Sequence, residues 1–233
     1  SLGKEEFALP DGNKVKMSVI WIKNFLAKVI VHELGHGFGV KEADAYNCHD
    51  INGEGKDFSF DCFISTYGDY LNVMGNSIST FPWLSASQLW EIGWLDESSI
   101  VRTDEGIYPL TPLETSEGAY KSIFIPIEIG PTDRLLDSFY YVLEMRQPIN
   151  YDIGLNSYDP FSEDVYKSVI LRVAYLTRNS LVRNTNILKS NKFLPQYNAH
   201  IHVIKWIKEG EDFIDEINGY QIKLLDISGE GNN

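Results

Sequence analysis

Two histidines one helical turn apart mark the segment of this sequence that is best suited to chemistry. His32 and His36 lie four residues apart in the run HELGH, with Glu33 between them. On a helix, residues i and i+4 project side by side, so both imidazoles can bind one ion with the carboxylate alongside. A zinc ion (Zn²⁺) held by two imidazoles and a third ligand keeps a position open for water, whose proton an adjacent carboxylate can accept. The pattern therefore predicts zinc-dependent hydrolysis, with Glu33 as the general base.

The alternative interpretation of this motif is a surface helix that carries two histidines by chance. The residues before the motif, 25–31 (FLAKVIV), are strongly apolar. We therefore expect the helix to be mostly buried, and buried His and Glu side chains need strong partners. A metal ion is such a partner, which favours the metal site.

A strand, a helix and a long loop are expected to position the motif. Residues 15–22 (VKMSVIWI) follow a turn signal and are rich in β-branched and aromatic side chains, which predicts a strand. A helix is predicted from an N-cap at Asn24 to Gly37 and Gly39, which end the pattern. Residues 40–69 show little periodicity, and a loop of this length in a compact domain is usually functional.

The rest of the chain predicts an α+β fold. Residues 85–95 form a short helix pattern with a serine N-cap. Five later runs rich in Ile, Val and Tyr are separated by turn residues, which is typical of a β-sandwich-like, β-rich module. These strand predictions are 122–129, 139–145, 165–176, 200–207 and 220–226. Glu144 and Arg146 lie on one face of such a strand, which predicts a surface ion pair.

Length, composition and charge limit what this chain can be. It has 233 residues, 43% of them apolar and 23% charged, which suits a globular protein and excludes a disordered tail or a long coiled coil. The formal net charge of −13 argues against a nucleic-acid partner, because a phosphate backbone would be repelled. No apolar run approaches the roughly 20 residues that span a bilayer, and the start SLGKEE lacks the pattern of a signal peptide.

The two cysteines, Cys48 and Cys62, both lie in the long loop. A disulfide between them would close a short loop, contribute about 3 kcal/mol to stability and weakly favour an oxidising compartment. Two unrelated buried thiols are equally consistent with their spacing.

Several segments resemble one family of zinc peptidases, the metzincins. HELGHGFG at 32–39 is similar to the metzincin start H-E-x-x-H-x-x-G, in which the glycine, here Gly39, lets the chain leave the helix and turn back under the metal. YGDYLNVMGN at 67–76 resembles the Met-turn of gametolysin-like and immune-inhibitor-A-like secreted peptidases, where the methionine, here Met74, forms a floor beneath the ligand histidines. Residues 85–95 resemble their closing helix, and residues 141–148 resemble a strand of their trailing β-module.

The resemblance implies a secreted zinc metalloendopeptidase. Residues 1–108 would be the C-terminal part of a metzincin-like catalytic domain, and residues 109–233 a β-sandwich-like module. Because only 31 residues precede His32, the resemblance also implies one of two things: an upstream portion of the same domain acts as a partner, or the chain is a cut-down relative of the family. Protein or peptide substrates would lie extended along the strand at 15–22, for which an internal strand is the alternative. Cys48 and Cys62 fall where such peptidases carry a disulfide.

The match departs from the family at the third zinc ligand. Metzincins place a third histidine three residues after the glycine, and this chain has Glu42 there. His₂Glu sites support peptide hydrolysis in other zinc proteases, so Glu42 is the favoured ligand, with Asp44 and His49 as rivals. A carboxylate ligand adds negative charge, which makes zinc a weaker Lewis acid.

Two further roles stay open. The sequence after Met74, GNSI, contains no tyrosine, so zinc would stabilise most of the charge on the substrate oxygen, with help from a residue such as Tyr67 or Tyr70. The run Phe81-Pro82-Trp83 lies where the family builds its main specificity pocket, although a packed aromatic corner fits equally well.

Other interpretations of the whole chain follow from the same residues. The main rival is a catalytically weak or inactive metzincin-like module that binds or supports other structures. A third interpretation is a metal that only stabilises the fold, which would require four protein ligands. Calcium (Ca²⁺) would suit the Asp-, Asn- and Gly-rich loops, but no segment has the spacing of a calcium-binding loop.

Overall fold

The computed structural model describes most of the chain and has the predicted α+β class. The described residues are 4–23, 25–47, 63–76, 82–116, 118–127, 137–157, 166–177, 201–216 and 218–227. The helices are α1 (Ala27–Phe38) and α2 (Ala86–Glu91). The strands are β1 (Lys4–Ala8), β2 (Lys14–Ser18), β3 (Ala43–Asn47), β4 (Phe63–Ser65), β5 (Ile100–Arg102), β6 (Ser122–Ile127), β7 (Asp137–Glu144), β8 (Ser168–Thr177), β9 (Ile201–Lys208), β10 (Asp212–Asp215) and β11 (Tyr220–Lys223).

A seven-stranded sheet joins the two halves of the chain. Its strand order is β4-β3-β9-β8-β7-β6-β5, with β3–β9 and β5–β6 parallel and the other pairs antiparallel. It therefore contains strands from both sides of residue 108, where the sequence predicts a domain boundary. The pairs β1–β2 and β10–β11 form separate two-stranded sheets.

Alternating side chains give the large sheet two apolar faces. Phe124, Val142 and Ala174 lie on one face and pack with Met74 and with Leu89 and Trp90 of α2. Their chain neighbours lie on the opposite face in a second cluster, which includes Phe213 of β10. Because successive residues of a strand point to opposite faces, the same strands pack against α2 on one face, the helix side, and against the β10–β11 hairpin on the other. The metal-site segments lie on the helix side.

Helix α1 is less buried than its apolar sequence predicts. Only Gly35 of this helix is buried, and Val31, Leu34 and Phe38 are 37%, 43% and 51% exposed. The expectation of a mostly buried helix is therefore wrong, because apolar composition does not show what covers a face. The helix begins at Ala27 with Leu26 as its N-cap, so the predicted N-cap at Asn24 is wrong.

The first predicted strand is also shorter than expected. It ends at Ser18 as β2 and pairs antiparallel with β1. The Oγ of Ser18 donates a hydrogen bond to the carbonyl of Gly37 at 3.0 Å, which holds this hairpin against the end of α1. Neither helix in the described ranges is long and apolar enough to cross a bilayer.

The predicted surface ion pair of Glu144 and Arg146 is wrong, because both side chains are 0% exposed. They belong to a buried charge network on the helix side of the sheet, whose members are Asp69, Glu114, Glu144, Arg146, Asp152 and Arg172. Strand alternation indicates that two side chains share a face. It does not indicate whether other elements cover that face. Here the loop before α2 and the first residue of α2 cover it, since the backbone N–H of Trp83 donates to Asp152 and that of Ala86 donates to Glu144.

Candidate metal centre

The end of helix α1 brings a third polar group back towards the two histidines. Gly39 has φ 96°, in the left-handed region that favours glycine, and terminates the helix as predicted. The N–H of Gly39 donates to the carbonyl of His36, and the N–H of Val40 donates to that of Gly35, each at 3.0 Å. These two bonds form a Schellman motif. The chain then passes through Glu42 into β3.

Three candidate ligands converge at this point. The Nε2 of His32 lies 3.3 Å from Oε2 of Glu42, and the Nε2 of His36 lies 3.0 Å from its Oε1. One donor atom from each of the three residues lies within 4.8 Å of the others. Zinc bonds of about 2.0–2.2 Å in tetrahedral geometry place neighbouring donors about 3.3 Å apart. Glu42 is therefore at a suitable distance from both histidines, and a pair of donors as far apart as 4.8 Å would have to approach by about 1.5 Å to hold one zinc ion.

Backbone carbonyls determine which imidazole nitrogen faces the third ligand. The Nδ1 of His32 lies 3.0 Å from the carbonyl oxygen of Val73, and the Nδ1 of His36 lies 2.9 Å from that of Val40. A carbonyl can only accept, so each Nδ1 carries the hydrogen that it donates. In the neutral rings the lone pair is then on Nε2, which is the nitrogen beside Glu42, and this is the usual arrangement of metal-binding histidines.

The charges at the site also suit a cation. Burial alone would raise the pKa of Glu42, but hydrogen bonds with His32 and His36 lower it to about 2. Burial lowers the pKa of His32, yet its bonds to Glu42 and to the carbonyl of Val73 raise it overall. The bonds that lower the pKa of Glu42 require a proton on Nε2. When the imidazoles are neutral, with their hydrogen on Nδ1, the buried Oε2 of Glu42 has no hydrogen-bond donor among the described residues. A buried anionic oxygen without a donor is stabilised by a bound cation.

Glu33 and Tyr67 border the same site. Burial is the largest cause of the raised pKa of Tyr67, and the negative charges of Glu42 and Glu33 act in the same direction. The hydroxyl of Tyr67 donates to Oε1 of Glu42 at 3.2 Å. Of the two tyrosines proposed from the sequence, Tyr67 is therefore in hydrogen-bond contact with a candidate ligand. Its φ of 59° is unusual for a residue other than glycine.

Met74 lies directly beneath the histidine helix. It is 0% exposed, and a methyl group added to Gly35 would overlap its Sδ. Gly35 lies between the two histidines in sequence, so the thioether of Met74 contacts the helix backbone between the two residues that carry the imidazole rings. This close approach explains why the middle of the motif contains a residue without a side chain.

We expect Gly35→Ala to lower the free energy of unfolding by about 1–3 kcal/mol, because the added methyl overpacks against buried Met74. Gly37→Ala is the matched control, since its Cβ would meet Ile20 and Ser18 at 3.7 and 3.8 Å, which is ordinary contact. The control should be neutral or more stable by up to about 1 kcal/mol from helix propensity. Urea denaturation of both variants tests this, and equal stability of the two would contradict the packing described here.

The other residues predicted from sequence have different positions. Oδ1 of Asp44 accepts the backbone N–H of Tyr67 at 2.8 Å, so Asp44 supports the loop that carries Tyr67. Trp83 stacks on Trp94 and Tyr151, with ring centroids 6.0 and 4.5 Å away. His49, Cys48, Cys62 and Phe81 lie outside the described residues, so the rival ligand and the predicted disulfide are untested.

Some contacts of the site were not predicted. The carbonyls of Val40 and Val73 have no signature in sequence, because every residue carries one. Arg172 bonds to Asp69 in the turn before Met74. The sequence does mark this residue, since it is the single charged residue in the apolar run of β8.

Comparisons with protein-family models, with curated proteins and with solved structures found no match for this chain.

Proposed function

We propose that this protein is a zinc-dependent endopeptidase that hydrolyses peptide bonds of protein substrates. The observation that carries the proposal is the convergence of His32, His36 and Glu42, with both Nδ1 atoms occupied by carbonyls and both Nε2 atoms directed to one point. Three protein ligands leave a position for water, as catalytic zinc sites require, whereas structural sites are closed by four.

The metzincin type is the finer part of this proposal. It is supported by the order of four features: the histidine helix α1, its glycine end at Gly39, the methionine beneath the histidines and the helix α2 that follows. The resemblance of these segments to gametolysin-like and immune-inhibitor-A-like peptidases favours secretion. The catalytic role of residues 1–108 and the supporting role of residues 109–233 belong to the same proposal.

Each residue of the site has a role in the proposed reaction. When bound, zinc would lower the pKa of a water molecule and polarise the substrate carbonyl. His32, His36 and Glu42 hold the ion. Glu33 accepts the proton of the attacking water and then donates it to the leaving amine. The hydroxyl of Tyr67 donates a hydrogen bond to the substrate oxygen as negative charge develops there.

Two surfaces suit the proposed partners. Strand β2 has β1 on one edge, and an extended substrate would pair antiparallel with its other edge, next to the end of α1. The exposed apolar stripe of α1, formed by Val31, Leu34 and Phe38, is the surface that an upstream portion of the catalytic domain would cover.

A cleavage assay with and without chelator tests the proposal. We expect the purified protein to hold about one zinc ion per chain, to cleave unfolded casein and to lose this activity on metal removal, because the water-activating ion is gone. Added zinc should restore it, and chelator already saturated with zinc should have no effect. Stoichiometric zinc without cleavage of casein or of a peptide library would instead support the inactive binding module.

A further inference from the structure

We infer that Arg172, on a central strand of the sheet, is a positioning residue for His32, acting through the turn that contains Met74. The inference rests on the proposed function in one respect: alignment of the His32 imidazole matters for activity only if this residue binds the metal. The alignment itself is a property of the metal-free protein. We call residues 69–75 the methionine turn.

The methionine turn has little freedom of its own. Its first residue, Asp69, donates its N–H to the carbonyl of Ala43 at 3.2 Å, and the N–H of Ala43 donates to the carbonyl of Met74 at 3.0 Å. Inside the turn, Oδ1 of Asp69 accepts the N–H of Leu71 at 3.0 Å, and Oδ1 of Asn72 accepts that of Met74 at 2.9 Å. The carbonyl of Val73, which holds Nδ1 of His32, is therefore positioned by Asp69 together with Ala43 of β3, and the side chain of Asn72 also donates to Gln88 of α2 at 2.7 Å.

Arg172 is the group that fixes Asp69. Its Nε and Nη2 lie 3.0 and 2.9 Å from Oδ2 of Asp69, and its Nη1 lies 2.6 Å from Oε1 of Glu144. The side chains of all three residues are at most 1% exposed. Charge-assisted hydrogen bonds are strong, and moving Asp69 would leave its carboxylate buried without a cation and would leave Nε and Nη2 of Arg172 without an acceptor, although Nη1 would keep Glu144. Asp69 therefore has one favourable position.

The two histidines depend on different supports, which makes the inference specific. His32 is held by Val73 and hence, through the turn, by Arg172 on β8. His36 is held by the carbonyl of Val40, four residues further along its own chain at the Schellman end of α1. Loss of the anchor should therefore disturb His32 and leave His36 in place, whereas general loosening of the fold would disturb both.

The test compares Arg172→Lys with the exposed control Arg102→Lys in the full chain. Lysine lacks the planar guanidinium whose N–H groups bond Asp69 and Glu144 at the same time, so the methionine turn should shift. In metal-free protein above the imidazole pKa, ¹⁵N NMR should show His32 changing from Nδ1–H to a mixture of tautomers, with His36 unchanged. Zinc affinity, measured by competition with a chromogenic chelator, should fall about 10–100-fold, the usual effect of losing a group that orients a ligand. The control should change neither.

Asp69→Asn provides a second variant if Arg172→Lys does not fold. It keeps the size and the oxygen of the side chain but removes the charge, so the same change at His32 is expected. An unchanged His32, or equal changes at both histidines, in the folded variant would overturn the inference. Because the NMR measurement needs no substrate, failure of the casein assay would overturn only the proposed function.

Discussion

Replacing Glu33 with glutamine is expected to lower kcat/KM for peptide cleavage by about 10²–10⁴-fold, the contribution of a positioned general base. Glutamine has nearly the same shape but cannot accept a proton at neutral pH. Glu33 is not one of the three converging donors, so zinc should stay bound. The loss should appear in kcat, because the residue acts on the water and not on substrate binding.

Two measurements made together check this expectation: zinc content by elemental analysis and cleavage of a fluorogenic peptide. The matched control is Glu6→Gln, which removes an exposed carboxylate paired with Lys14 and should retain full activity. Full activity in the Glu33→Gln variant would remove Glu33 from the mechanism. Loss of both activity and zinc would assign it a ligand role instead.

Glu144→Gln is expected to lower the free energy of unfolding by about 3–5 kcal/mol, because it removes one partner from a buried ion network. The carboxylate accepts from Arg146 at 3.2 Å, from Arg172 at 2.6 Å and from the backbone N–H of Ala86 at 2.7 Å. Burial and a hydrogen bond with Asp152 raise the pKa of Glu114, so its carboxyl is a weaker compensating anion than an ordinary glutamate. Asp69 and Asp152 would still face the two guanidinium groups, but the carboxylate that bridges Arg146 and Arg172 would be lost.

Urea denaturation followed by circular dichroism measures this effect. The control is again Glu6→Gln, whose ion pair is exposed to solvent and should contribute less than about 1 kcal/mol. If Glu144→Gln lowers the free energy of unfolding by no more than Glu6→Gln does, the charge network is solvated. The pair Glu144 and Arg146 then behaves as the surface ion pair that the sequence alone predicts.

The local parts of the structure could be predicted from the sequence. The end of α1 at Gly39 follows from glycine at a position with positive φ, and the runs rich in Ile, Val and Tyr correspond to β6, β7, β8, β9 and β11. The short strands β3 and β4 were missed because sequences such as ADAYN have no strand pattern of their own. They are strands because distant partners hydrogen-bond to them.

Spacing indicates the two histidines, the resemblance to metzincins indicates Glu42, and neither indicates the groups that support them. The pair His32 and His36 follows from helical periodicity alone. The contribution of Glu42 depends on how the chain turns after the helix, and the roles of Val73, Asp69 and Arg172 depend on contacts between segments far apart in sequence. The burial of Glu144 likewise depends on which loops cover the sheet, and periodicity does not contain that information.

The parallel pairing of β3 with β9 sets the order in which the molecule can be assembled. The strand that follows Glu42 has residues 201–203 as its neighbour, and Asp69 is anchored by β8. A chain emerging from the ribosome makes the histidine helix before these two strands. The supports of Glu42 and of the turn before Met74 are therefore complete only after residues 172 and 201–203 have been synthesised, so the candidate ligands are made before the strands that hold them in place.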